Sequence, residues 1–216
     1  MSETYYDAVA RRYDALVDRP IRHVRAAAAR ALDAGPGATV LDLGCGSGVN
    51  FEHLRRTVGP SGSVVGVDVS HGMLSVARGR IREAGWENVT AVRGDARRPP
   101  VADPDAVFAS LVAAFFDDPG AVVRRWADLV GPGGRLGLLD FGRSDGLGRL
   151  LNPVFVAFVG AVSPGSGFGY DPEAVRGMER RNAAAHRALA ERCTDVERST
   201  PFLGFARVTV GTVAER

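Results

Sequence analysis

Lysine is absent from this chain of 216 residues, so all 27 basic residues are arginine. That excludes Schiff-base chemistry and any phosphate-binding loop built on a lysine. Cysteine is almost absent too: Cys45 and Cys193 cannot make a disulfide framework or a four-ligand zinc site, and so sparse a use suits a reducing compartment. His23, His53, His71 and His186 are dispersed with no ligand spacing, so no metal is expected and none is an obvious general base. The net charge is only +2, and the paired arginines (Arg11–Arg12, Arg55–Arg56, Arg97–Arg98, Arg124–Arg125, Arg180–Arg181) are scattered. They read as solvated faces, and no nucleic acid partner is expected. The longest apolar run, Val154–Val162, falls far short of the ~20 residues of a membrane-spanning helix. Met1–Ala15 carries Glu3, Asp7, Arg11, Arg12 and Asp14 where an export signal would be apolar. A cytoplasmic location with at most a peripheral membrane contact is expected.

What is present fits one globular domain: 45% hydrophobic residues, 24% charged, a mean hydropathy near zero, and no repeat or linker. Tyr5, Val9, Tyr13, Leu16 and Val17 recur at helical spacing, and an alanine-rich helix follows over His23–Leu32. From Ala38 a regular alternation sets in. Strands are expected at Ala38–Leu43, Ser63–Val67, Val89–Arg93, Ala106–Leu111 and Arg135–Phe141. Helices are expected to about Val58, over Gly72–Ala84 and around Ala121–Val130. This alternation predicts an α/β fold with a parallel sheet and helices on both faces. The last third departs from it. Leu147–Val162 is apolar, Asp171–Cys193 is helix-like, and Val196–Ser199 with Ala206–Thr212 read as an antiparallel pair closing the sheet.

The sharpest local signal is Val40-Leu41-Asp42-Leu43-Gly44-Cys45-Gly46-Ser47-Gly48. Three glycines at alternate positions, after a strand and before a helix, let backbone approach a ligand beyond the carboxyl ends of the strands. Asp68 ends the next strand, where a carboxylate can accept both hydroxyls of a ribose. A dinucleotide fingerprint would need glycine at position 49, and Val49 stands there. The spacing suits a nucleoside ligand without phosphates.

Val40–Gly48, Val65–Asp68, Gly94-Asp95-Ala96 and Gly131–Gly134, in this order, resemble the class I S-adenosylmethionine-dependent methyltransferases over about Ala38–Phe141. Tyr6–Asp14 resembles the first helix of the ubiquinone/menaquinone C-methyltransferase-like group and of bacterial phospholipid N-methyltransferases. The resemblance implies a Rossmann-like, seven-stranded, mostly parallel sheet with an antiparallel closing pair, and S-adenosylmethionine as cofactor. It divides one domain into a helical lid (1–34), a cofactor core (38–141), a substrate-side insert and helix (147–193) and closing strands (194–213). It implies that Gly44, Gly46 and Ser47 lie against the methionine and ribose, with Asp42 near the ammonium directly or through water. Asp68 binds the ribose. Met73, with Val69 beside it in the same loop, packs on the adenine, whose edge Asp95 and the Ala96 amide hold. Ser110 lies near the amino-acid end, and Tyr13 closes over the cofactor.

Each residue also has a plainer reading: Asp42 as a helix cap, Met73 as core, Asp95 as a turn residue, Tyr13 as core, Cys45 as a small spacer. Where relatives that methylate planar nitrogens carry Asn-Pro-Pro-Tyr, this chain has Ser110-Leu111-Val112-Ala113, which disfavours nucleic-acid bases and glutamine amides. The apolar segment 147–170 reads as a lid suited to a quinone- or lipid-like acceptor, with Arg149 and Tyr170 toward its polar end, or as one more core helix. Two rivals stay open on sequence: a phospholipid or small-amine N-methyltransferase, and a catalytically silent S-adenosylmethionine-binding regulator. A nicotinamide oxidoreductase would use the same sheet, but Val49 weighs against it.

Overall fold

The computed structural model describes residues 19–162 and 172–215. Helix α1 (Arg19–Leu32) leads into strand β1 (Thr39–Leu43), then α2 (Phe51–Val58), β2 (Ser63–Asp68), α3 (His71–Ala84), β3 (Val89–Arg93) and β4 (Ala106–Ser110). A short 3-10 turn over Ala113–Phe115 precedes α4 (Pro119–Val130) and β5 (Arg135–Phe141). Another, Leu147–Leu151, opens α5 (Asn152–Val162). The chain ends with α6 (Pro172–Arg192), β6 (Cys193–Ser199) and β7 (Ala206–Val213). The seven strands lie in one sheet in the order β3-β2-β1-β4-β5-β7-β6. β1 to β5 pair in parallel, and β7 runs antiparallel to both β5 and β6.

Strand alternation sends successive side chains to opposite faces, and each face has its own core. Val40, Val64, Phe108 and Leu139 pack with Val24, Leu32, Phe51, Leu54 and Leu74 from α1, α2 and α3. Leu41, Leu43, Val107 and Leu138 pack with Val123, Trp126, Ala185 and Leu189 from α4 and α6. Burial from both sides explains why β4 up to Ala109 and the middle of β5 are apolar without a break. A smaller cluster of Phe155, Val159, Val175, Met178 and Phe205 sits by α5 and α6.

Strand β6 starts three residues earlier than the sequence pattern suggests, directly after Arg192. Asp195 has a positive φ of 49°, and the pairing with β7 shifts between Thr194 and Glu197, a bulge that hides the alternation. The expected helix over Tyr5–Val17 lies outside the described residues.

Gly66 in β2 shows how closely α2 is seated. A Cβ there would overlap the Phe51 ring and come 2.8 Å from Cys45 Sγ. Gly66→Ala is expected to cost about 1–3 kcal/mol by overpacking. Gly79→Ala, on an open part of α3 whose nearest atom is 4.0 Å away, should instead gain about 0.5–1 kcal/mol. Urea midpoints of the two variants will show whether they move in opposite directions.

Candidate active site

After Leu43 the chain turns through Gly44, Gly46 and Gly48, all with positive φ (71°, 54° and 78°). The amides of Gly44 and Cys45 both donate to the Val67 carbonyl, at 2.8 and 3.1 Å, which ties the loop to β2. A Cβ on Gly44 would lie 2.5 Å from Val112 Cγ2, and one on Gly48 2.5 Å from the Phe51 ring. Those two glycines make room for the protein's own side chains. A Cβ on Gly46 would meet only Met73 Sδ, at 3.9 Å.

The loop forms one wall of a cavity of about 380 Å³ at the carboxyl ends of β1, β2 and β4. Of the residues singled out from sequence, Gly44, Gly46, Ser47, Asp68, Val69, Met73, Asp95, Ala96 and Ser110 all line it. Tyr13 lies outside the described residues. Asp68 is fixed by two backbone donors: Gly46 N–H to Oδ2 and Ser70 N–H to Oδ1, both at 2.9 Å. Ser70 caps α3 by accepting from Met73 N–H at 3.1 Å, which sets Met73 against the cavity. Met73 is buried and Val69 is half exposed, two apolar groups on one side of the opening.

Asp95 is a turn residue that also borders the cavity. Its carboxylate accepts from Arg97 N–H at 2.8 Å, a turn contact, and from the Arg97 guanidinium, and it still lines the cavity. The Arg97 hydrogen bond is the main reason its carboxyl lies below the usual range. The Ala96 carbonyl accepts from Trp126 Nε1 at 2.7 Å, which fixes the neighbouring backbone. Leu111, just after β4, holds a positive φ of 58° while its amide donates to the Leu139 carbonyl at 2.8 Å. That conformation costs a non-glycine residue about 1–2 kcal/mol, and it sits on the cavity wall.

Beneath the loop lies a buried polar network. Asp42 is fully buried and accepts from Asn50 Nδ2 at 3.0 and 3.2 Å, so it does not cap α2. Asn50 Nδ2 also donates to Ser110 Oγ at 3.0 Å. Arg25, buried in α1, donates from Nη1 to Asn50 Oδ1 at 2.9 Å and to Ser110 Oγ at 2.8 Å, and it reaches the cavity wall. Burial pushes the Asp42 carboxyl up to about 7, against the lowering effects of Asn50 and the Arg25 charge; the Asp68 charge adds to the rise. Arg25 and Ser110 line the cavity, whereas Asp42, expected near the ammonium, and Asn50 are not part of its lining. Arg25 and Asn50 were not singled out from sequence. The legible signal for Arg25 was an arginine sharing a helical face with Ala28, Ala29 and Leu32.

Comparison with known proteins gives the class. Residues 40–134 match the description "Methyltransferase domain". The chain is 30% identical over 180 residues to aklanonic acid methyltransferase DauC of Streptomyces sp. (strain C5), covering 82% of this chain and 78% of that one. It is 37% identical over 142 residues to demethylmenaquinone methyltransferase of Corynebacterium kroppenstedtii, covering 63% and 58%. Among solved structures, an S-adenosylmethionine-dependent methyltransferase from Aquifex aeolicus shares the fold with a TM-score of 0.65 and 16% identity, over 99% of this chain and 100% of the other. The chain belongs to the class I S-adenosylmethionine-dependent methyltransferases. It spans about half the length of several of the curated relatives it matches.

Proposed function

We propose that this protein transfers the methyl group of S-adenosylmethionine to a small hydrophobic acceptor of the quinone or lipid-like kind. The observation that carries the reading is Asp68, held by the Gly46 and Ser70 amides inside a cavity that gathers the family's motif residues. In this reading Asp68 takes the ribose hydroxyls, and Val69 and Met73 pack on the adenine, whose edge meets Asp95 and the Ala96 amide. Gly44, Gly46 and Ser47 lie along the methionine. Arg25 and Ser110 face its carboxylate, and Asp42 compensates its ammonium, directly or through water.

When bound, S-adenosylmethionine would supply a sulfonium methyl group to an electron pair of the acceptor, leaving neutral S-adenosylhomocysteine and, from a protonated acceptor, a proton released to solvent. The chain's task is alignment and exclusion of water, both served by a cavity closed on its inner side by the glycine loop and β4. The acceptor class rests on the relatives named for demethylmenaquinone and aklanonic acid. No helix among the described residues is long and apolar enough to cross a membrane.

Calorimetry with S-adenosylhomocysteine tests the cofactor site. The expected result is micromolar binding that Asp68→Ala weakens by about 1–3 kcal/mol, with no binding of NADH. A preference for NADH, or an Asp68→Ala variant that binds like the parent, would overturn the assignment. Transfer of labelled methyl to a demethylated quinone, against a small-amine control, then tests the acceptor class.

A further inference from the structure

A second cavity, of about 590 Å³, opens where β5 ends and β7 begins. Its size is within the range of small-molecule sites. Arg143, Arg149 and Arg207 line it against two carboxylates, Asp145 and Glu179. Glu179 is already held by Arg143: it accepts from the backbone amide at 2.7 Å and from Nη2 at 2.7 Å. Burial works to raise the Glu179 carboxyl, but the Arg143 contacts prevail and keep it below its usual range. Arg207 lies across Gly142, uses Nη2 on the Arg143 carbonyl at 2.8 Å and lines the cavity, its charge bearing also on Glu179 and Asp140. Arg149 is exposed at the rim. The cavity therefore carries an excess of cationic donors of the forked kind that suits oxyanions.

The walls are built rather than incidental. Ser144, buried, donates from Oγ to the Leu203 carbonyl at 2.7 Å. Asn152 accepts from Ser144 N–H at 2.8 Å and donates back to the Ser144 carbonyl at 3.0 Å. Asn182 is 4% exposed; its Nδ2 donates to the Phe141 carbonyl, while its buried Oδ1 has no hydrogen-bond partner among the described residues.

The same residues border an apolar rim. Arg149 stands between Leu147 and Leu150, which are 92% and 91% exposed. Leu151 and Val154 continue that surface, and Leu203, whose carbonyl Ser144 holds, is 56% exposed on the other side. Leucines so fully in water beside a basic cavity are an interaction surface with mixed chemistry.

We infer that this cavity is a second binding site, for an amphipathic oxyanion: its acidic group sits among Arg143, Arg149 and Arg207 and its hydrocarbon lies along Leu147, Leu150 and Val154. The site is separate from the cofactor cavity and does not depend on the methyl-transfer reading. The acidic group is a phosphate or carboxylate, carried by a free amphiphile or by a lipid in a surface.

Calorimetry with octyl phosphate, inorganic phosphate and octyl glucoside tests it, beside flotation with phosphatidylglycerol and phosphatidylcholine vesicles. Octyl phosphate should bind about a hundred-fold more tightly than inorganic phosphate, the effect of burying roughly three to four methylenes at about four-fold each along the open leucine rim. Octyl glucoside should not bind. Arg149→Gln and Arg207→Gln should each weaken octyl phosphate about ten-fold or more. Leu150→Ser should weaken it while inorganic phosphate is unaffected. Retention of S-adenosylhomocysteine affinity in every variant shows that the fold and the first cavity are intact. Arginine-dependent flotation with phosphatidylglycerol alone would support the site with a lipid surface as source, and arginine-dependent binding of octyl phosphate alone would support it with a free amphiphile. Equal binding of octyl phosphate and octyl glucoside, insensitivity to both arginine variants, or no binding in either arm overturns the proposal.

Discussion

Arg25→Met is expected to destabilise the protein by about 3–5 kcal/mol at pH 8, because it removes one member of a buried charged network and leaves the rest behind. Methionine fills much of the arginine stem's volume, so packing loss is kept small. What is lost are the donors to Asn50 Oδ1 and Ser110 Oγ, in a place closed to bulk water. Asp42 also loses the charge that favours its ionised form. Its carboxyl should then rise further, so the penalty should be smaller at pH 5, where Asp42 is already neutral. Urea unfolding at the two pH values checks this. The double variant Arg25→Met with Asp42→Asn should cost less than the two single changes added together, since they share Asn50. An additive pair, or an equal cost at both pH values, would mean that the network is not energetically coupled.

The pH dependence of Asp42 itself is the second large effect. A carboxyl whose folded-state pKa lies above its unfolded value binds its proton more tightly in the folded chain. Its stabilising contribution is complete below 3.8 and is lost as pH climbs towards about 7. Asp42→Asn cannot ionise and escapes that loss. Its stability relative to the parent should therefore improve between pH 4 and pH 7.5, by on the order of 3–4 kcal/mol. The absolute effect at any one pH includes the altered hydrogen bond to Asn50, so the difference between pH values is the quantity to measure. Paired denaturation series across this range will show a rising difference curve if burial dominates Asp42. A flat curve would show that Asn50 and Arg25 hold the carboxyl ionised throughout.

The parallel half of the sheet was legible because its strands are short apolar runs closed by turn residues, and burial on both faces leaves no other place for them. That the motif residues meet in the first cavity was legible because they come from consecutive strand ends, so local spacing places them together. The buried network was not, since Arg25, Asn50 and Ser110 meet only after α1 packs on β4 and β5. His186 illustrates the same limit: one of four scattered histidines in sequence, it sits between Asp140 and Thr209, with Nδ1 at 2.7 Å from Thr209 Oγ1. The 147–170 segment reads in sequence as a lid or as one more core helix, and its described part, α5, has one packed face and one exposed face. Phe155 and Val159 are buried in the small cluster, while Val154 and Phe158 face outward. The second cavity draws on Phe141, Glu179 and Arg207, a separation that no local pattern bridges.

The reversed direction of β7 has a consequence for how such a protein can diversify. Had the last strand run parallel, its first residues would lie at the opposite edge of the sheet, away from either cavity. Running antiparallel, β7 delivers Arg207 beside the end of β5. The lining of the first cavity thus lies between Arg25 and Asp117, and that of the second between Phe141 and Arg207. The two are separate stretches of one polypeptide, so recombination or grafting after Phe141 can exchange the second lining while the first is inherited intact.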